Sequence, residues 1–224
     1  MENWTMKYDA VVFDFDYTLG DSTEGIVASV NYGLGKLGRP SAEREAVRKT
    51  IGLSLKETYH ALTGDTSEER TVLFETYFRE KADEIMVGDT KLFPDTEEML
   101  QYLKNKGVHT GIVTTKYHYR IDAILASCQA TELIGVIVGG EDVKAPKPDP
   151  EGLLSVLETW NLPKGQLLYV GDSVVDAKTA QAAGVDFAGV TTGATSKEEL
   201  SKYPCVGVYG SLGELKRALF CAYE

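Results

Sequence analysis

Asp14 and Asp16 stand two residues apart, directly after the apolar run at residues 10–13, in the segment Asp14-Phe15-Asp16-Tyr17-Thr18. Carboxylates at the end of a buried strand are costly to desolvate, so the pair calls for a cation, an acid–base function, or both. Residues i and i+2 of a strand face one side, so the two carboxylates are expected to converge. Three further segments put reactive groups at the ends of predicted strands. Residues 111–116 close one with Thr114, Thr115 and Lys116. Lys147 lies between Pro146 and Pro148, which restrict the backbone and present its ammonium from a stiff loop. Asp172, Ser173 and Asp176 open a helix after another apolar strand, with Asp172 and Asp176 on one side of it. Singly, each segment has an ordinary explanation: Asp172 or Ser173 caps a helix, Thr114-Thr115 forms a turn, and Lys147 is a solvated loop lysine.

The elements that must position these groups follow from hydrophobic periodicity. After the first strand, residues 22–87 show almost only helical spacing. Helices are expected over residues 24–37, 42–50, 54–62 and 68–86, with Ser41 as N-cap of the second. Four helices with no intervening strand read as an inserted cap. From Phe93-Pro94 onward helices and strands alternate: helix 96–105, strand 109–114, helix 117–127, strand 135–138, helix 150–160, strand 166–170, helix 174–183, strand 185–190. Weaker elements follow at 197–202, 207–209 and 213–222. This alternation predicts an α/β fold, a Rossmann-like three-layer core with a mainly parallel sheet plus the all-α, four-helix cap. Ligands in such sheets bind at the carboxyl ends of the strands. The core is expected over residues 1–20 and 89–224, the cap over 21–88, with hinges at 19–22 and near 87–92.

Carboxylates, hydroxyl, lysine and carboxylates therefore recur in order, each at a strand's carboxyl end. In that order and context the chain resembles the Mg-dependent phosphatase branch of the haloacid dehalogenase-like superfamily, over nearly its whole length. Its nearest look-alikes there are phosphoglycolate phosphatases and the similar pyrophosphatase-type members. The resemblance implies phosphoryl transfer through an aspartyl-phosphate, with Asp14 as nucleophile and Asp16 as general acid, then base. It implies Mg²⁺ as cofactor, held by the Asp14 carboxylate, the Asp16 backbone carbonyl and the Asp172 carboxylate, with Asp176 behind them. Thr114, Thr115 and Lys147 would bind the phosphoryl group, Lys147 would also restrain Asp14, and Thr18 would steady the loop. One position departs from the family, which usually has Gly where this chain has Tyr17. Tyr meets a positive φ with difficulty, so Tyr17 either takes an ordinary conformation or alters the loop, and its ring is also expected to narrow the substrate entrance.

The loop at residues 51–56 resembles the family's specificity loop. Its Lys56 is a candidate for a substrate carboxylate, which favours phosphoglycolate, with Arg39 and Lys49 behind it. Alternatives are an inorganic pyrophosphatase, a sugar phosphomutase similar to β-phosphoglucomutase, and a non-catalytic protein that binds a phosphorylated ligand. A dehalogenase is disfavoured by Asp16, which that branch typically lacks. His60, His109 and His118 have no ligand spacing, and the aromatic stretch at 74–78 reads as packing.

Composition narrows the partners. Lys and Arg number 23 against 34 Asp and Glu, a net charge of −11, which opposes nucleic-acid binding; a small anionic substrate would need local cations or metal, and the partner that the resemblance implies is a small phosphorylated metabolite. Cys128, Cys205 and Cys221 show no CxxC spacing and read as reduced thiols. No apolar run approaches the roughly 20 residues of a membrane helix, and residues 1–9 lack the pattern of a signal peptide. A cytoplasmic monomer or homodimer is expected, with no membrane partner.

Overall fold

The computed structural model describes residues 7–220. Strand β1 (Ala10–Phe13) runs through the middle of a six-stranded parallel sheet, between β4 (His109–Val113) and β6 (Leu167–Gly171). Outward from these lie β5 (Val136–Val138) on one side, and β7 (Asp186–Val190) then β8 (Gly207–Tyr209) on the other. Strands buried on both faces need apolar residues of both parities, and β1 supplies them. Val11 and Phe13 enter a core with α5 (Thr96–Asn105), α6 (His118–Ser127) and α10 (Leu212–Leu219). Ala10 and Val12 enter the opposite core with α7 (Glu151–Trp160), α8 (Val174–Ala183) and α9 (Lys197–Leu200). This is the expected three-layer arrangement.

Between β1 and the rest of the core are α1 (Thr23–Lys36), α2 (Arg44–Arg48), α3 (Leu55–Thr63) and α4 (Glu68–Asp89). They share a separate core in which Tyr59, Phe74, Phe78 and Met86 pack with Val30 and Leu34. The Phe74 and Phe78 rings are thus cap packing, as their spacing indicates. Several boundaries differ from expectation, two of them at the cap's second helix and at its exit. Glu43, not Ser41, precedes α2, and α4 continues to Asp89, through the start of the expected second hinge. The chain segments entering and leaving the cap are short paired strands, β2 (Gly20–Asp21) antiparallel to β3 (Lys91–Leu92). Thr90 Oγ1 also donates to Ser22 Oγ at 3.0 Å. Pairing between residues 70 apart carries no local signal, which is why periodicity misses it.

Cys128 and Cys205 are free and half-buried, while Cys221 and the end of the expected last helix lie outside the described residues. No helix among the described residues is long and apolar enough to cross a membrane.

Candidate active site

The four segments meet at the carboxyl ends of β1, β4 and β6. Asp14 extends the ladder by one bond, its N–H donating to Val170 O at 2.8 Å, and then the strand ends. Asp16 therefore sits in a tight loop rather than in the strand, in which Phe15 O accepts from the N–H groups of Thr18, Leu19 and Gly20. Strand parity nevertheless persists: Phe15 joins the core of Val11 and Phe13, leaving Asp14 and Asp16 on the other side. Both carboxylates are buried, Asp14 only 2% exposed.

Lys147 is the hub. Its Nζ lies 2.9 Å from Asp14 Oδ1, 2.6 Å from Asp176 Oδ1 and 3.1 Å from the Tyr169 hydroxyl, all buried. Burial alone lowers its pKa, but the charges of Asp14 and Asp176 outweigh this and hold it above the ordinary lysine value. Asp176 accepts at both oxygens: Oδ1 from Lys147 and Oδ2 from the Ser173 N–H and hydroxyl, as part of the capping box that starts α8. Ser173 thus caps the helix, while Asp172 does not. Gly171 is needed here, since a Cβ would lie 2.5 Å from the Asp176 carboxylate.

Asp14, Asp172 and Asp176 place ligand oxygens within 4.8 Å of one another. Burial raises the Asp14 pKa from 3.8 to about 6, with the charges of Asp176 and Asp16 adding to it and Lys147 opposing. Asp172 is raised well above its ordinary value, by burial first and then by Asp176 and Asp14. Fully ionised, these three carboxylates and Asp16 would exceed the ammonium groups of Lys147 and Lys116 by two negative charges. Asp16 Oδ1 is buried without a hydrogen-bond donor, and Asp14 Oδ1 has only the Lys147 ammonium, 2.9 Å away. An oxygen-rich cluster with this excess of carboxylates and an unsatisfied acceptor fits Mg²⁺, a hard divalent cation that prefers carboxylate and carbonyl oxygen.

Thr114 is buried, and its Oγ1 accepts from the Lys116 N–H at 3.3 Å. Thr115 lines the adjoining cavity, and the Thr18 hydroxyl is buried without a partner, so Thr18 joins the loop through its backbone. Tyr17 does adopt the positive φ, at 61°, where a glycine would be at ease. Its ring is buried, its hydroxyl lies 2.7 Å from Thr23 Oγ1 at the start of α1, and the Arg48 guanidinium of α2 stacks 5.5 Å from the ring centroid. Tyr17 therefore braces the loop at residues 15–20 against the cap.

Lys56 is not brought to the site. Its side chain is 50% exposed and pairs with Glu68 at 3.1 Å, because it lies on the outward face of α3. Arg39 likewise pairs with Asp65 within the cap. His60 contacts Thr71, His109 stacks on Trp160, and His118 lies beside Asp142, all in structural contacts. Two residues to which the sequence reading assigned no role join the site. Lys116, buried 3.2 Å from Asp16 Oδ2, follows the threonine pair and was visible as a cation after a strand. Burial lowers its pKa. Tyr169 is hidden in an apolar strand, where only its hydroxyl distinguishes it from its neighbours.

The fold and site define a hydrolase-type α/β core: acidic residues at the end of a central parallel strand, a buried lysine across from them, and a helical insertion above. The family model for haloacid dehalogenase-like hydrolases matches residues 11–190, and the chain belongs to that family. It is 32% identical to the phosphoglycolate phosphatase of Photorhabdus laumondii over 200 residues, covering 86% of this chain and 84% of that one. It is also 32% identical to the phosphoglycolate phosphatase of Escherichia coli K12, covering 93% and 91%. A haloacid dehalogenase-like hydrolase from Bacteroides fragilis superposes with a TM-score of 0.91 at 42% identity, covering 93% of this chain and all of that one.

Proposed function

We propose that the protein is a Mg²⁺-dependent phosphatase for small phosphate monoesters, with phosphoglycolate as the leading substrate class. The observation that carries this reading is the Asp14–Lys147–Asp176 chain of contacts beside Asp172 and Asp16. The relatives named phosphoglycolate phosphatase support the substrate class.

Asp14 attacks phosphorus and forms an aspartyl-phosphate, and Lys147 keeps its carboxylate aligned while offsetting negative charge. Asp14, Asp172 and the backbone carbonyl of Asp16 are the residues that would hold Mg²⁺, which when bound supplies positive charge to phosphoryl oxygens. Thr114, Thr115 and Lys147 face the phosphoryl group. Asp16 protonates the leaving alkoxide and then deprotonates the water that cleaves the acyl phosphate, with Lys116 fixing its carboxylate at 3.2 Å. Asp176 positions Lys147. The paired strands Gly20–Asp21 and Lys91–Leu92 support a division into a core of residues 1–20 and 89–224 and a cap of 21–88 that closes over the site.

Phosphate release measured with and without EDTA, over phosphoglycolate, pyrophosphate, sugar phosphates and nucleotides, tests the proposal. Metal-dependent turnover with the highest kcat/KM on a small monoester is expected, and Asp14→Asn should reduce it by about 10³-fold or more. Near-normal turnover by folded Asp14→Asn refutes the mechanism.

A further inference from the structure

A cavity of about 70 Å³ opens beside Asp16, between the core and the cap helices. At roughly 10–15 Å³ per water-sized site it accommodates about five non-hydrogen atoms, the size of a two- or three-carbon group. Its walls are largely apolar, with Ile26, Val30, Phe78 and Met86 from the cap, but three cations line it: Lys116, Arg120 and Arg79. Asp16 is the one carboxylate in that lining. Each cation is also held by a carboxylate, Lys116 by Asp16, Arg120 by Asp83 and Arg79 by Glu75, so the cavity offers an anion fixed donors rather than surplus charge.

Arg120 is the most telling of the three. It is 4% exposed, and its Nε is buried with no hydrogen-bond partner. Its Nη2 is engaged, donating to Asp83 Oδ1 and, at 2.9 Å, to the Tyr119 hydroxyl. The guanidinium is held in place over the rings of Tyr117 and Tyr119, 5.9 and 5.2 Å from their centroids. A buried, oriented donor without an acceptor is costly unless a ligand supplies one. Arg79 comes from α4 in the cap, and donates from Nη1 to the Tyr117 hydroxyl at 2.6 Å; Glu75 lies 3.7 Å away. Core and cap cations thus converge on one cavity, next to the residue that handles the leaving-group oxygen.

We propose that Arg120, with Lys116 and Arg79, forms a subsite for a carboxylate on the short alcohol portion of the phosphoester. Resting on the phosphatase reading above, this assigns to Arg120 the substrate contact that the exposed Lys56 does not make. Carboxylate-bearing esters of two or three carbons fit the cavity, and a neutral alcohol of the same length leaves the Arg120 Nε unmatched.

The test compares phosphoglycolate with ethyl phosphate, and with pyrophosphate as the anion that carries phosphate in place of carboxylate. For the Mg²⁺-loaded wild type, kcat/KM should favour phosphoglycolate over ethyl phosphate by about 100-fold, and Arg120→Met should reduce that ratio at least about tenfold, chiefly through KM. Arg79→Met, whose side chain is more exposed, should shift the ratio in the same direction and serves if Arg120→Met does not fold. An unchanged ratio in a folded variant, or a wild type that prefers pyrophosphate or ethyl phosphate, overturns the subsite. Calorimetric titration with the same three compounds separates the two proposals. If nothing is turned over, the phosphatase reading fails, while tighter binding of phosphoglycolate than of ethyl phosphate, lost in Arg120→Met, sustains the subsite; equal binding overturns it.

Discussion

Replacing Lys147 with Met keeps the length of the side chain and removes its charge. The ammonium lies between Asp14, at 2.9 Å, and Asp176, at 2.6 Å, in a site closed to water. Removing one partner of a buried ion pair costs about 3–5 kcal/mol when the remaining charge stays ionised. Here the remaining charges can be neutralised by protons, so the cost depends on pH. In the folded protein the Asp14 carboxyl titrates near 6 rather than 3.8, so the folded state binds its proton more tightly than the unfolded chain does. Stability is therefore greatest at low pH for this group and declines as pH rises through that interval, by about 3 kcal/mol in total. Lys147 is the main opposing charge, so its loss moves the Asp14 pKa further up and extends the decline toward neutral pH. Urea denaturation of the metal-free protein, wild type beside Lys147→Met, at about pH 5 and about pH 8 measures this directly. The expected result is a deficit of about 3–5 kcal/mol at the higher pH that shrinks by half or more at the lower. A deficit equal at both pH values would show that Lys147 contributes packing rather than charge, and would refute the argument.

Tyr17→Phe should lower stability by about 1 kcal/mol in thermal or urea unfolding, since it keeps the buried ring and removes only the hydroxyl's hydrogen bonds to Thr23 and Arg48. Tyr17→Gly should cost more than Tyr17→Phe: glycine relieves the positive φ, worth about 1 kcal/mol, but loses a buried ring worth about 1.5–3 kcal/mol. Greater stability in Tyr17→Gly than in wild type would show that strain dominates this position. Lys56→Ala should keep kcat/KM within about twofold and stability within about 0.5 kcal/mol, because an exposed ion pair contributes little. A large rise in KM would return Lys56 to the substrate.

The alternation of strands and helices was legible because each element writes its period locally. Helices α5 and α8 match their expected spans, and Gly107 and Gly184 follow as positive-φ terminators. Elements defined by distant partners were not legible. The short strands β2 and β3 exist only because residues 20–21 and 91–92 meet, and neither is long enough to show alternation. Ser41 has the right side chain for an N-cap, but the helix begins at Arg44, because the Asn31 side chain of α1 takes the N–H and C=O of Ala42.

The sequence by itself determined the chemistry at the strand ends. Asp14, Asp16, Lys147, Asp172 and Asp176 follow apolar strands or stiff loops, and parallel strands must deliver such groups to one edge of the sheet. Tertiary structure alone decided which cations serve the site and which face solvent. Lys56 and Arg120 are both basic residues near helix starts, yet one pairs with Glu68 at the surface and the other is sealed beneath the cap. Charge and helical position are local properties, whereas the neighbour that excludes water comes from a different part of the chain. The same holds for Tyr17, whose tolerance of a positive φ rests on Thr23 and Arg48, contacts that exist only once the cap has folded over the loop.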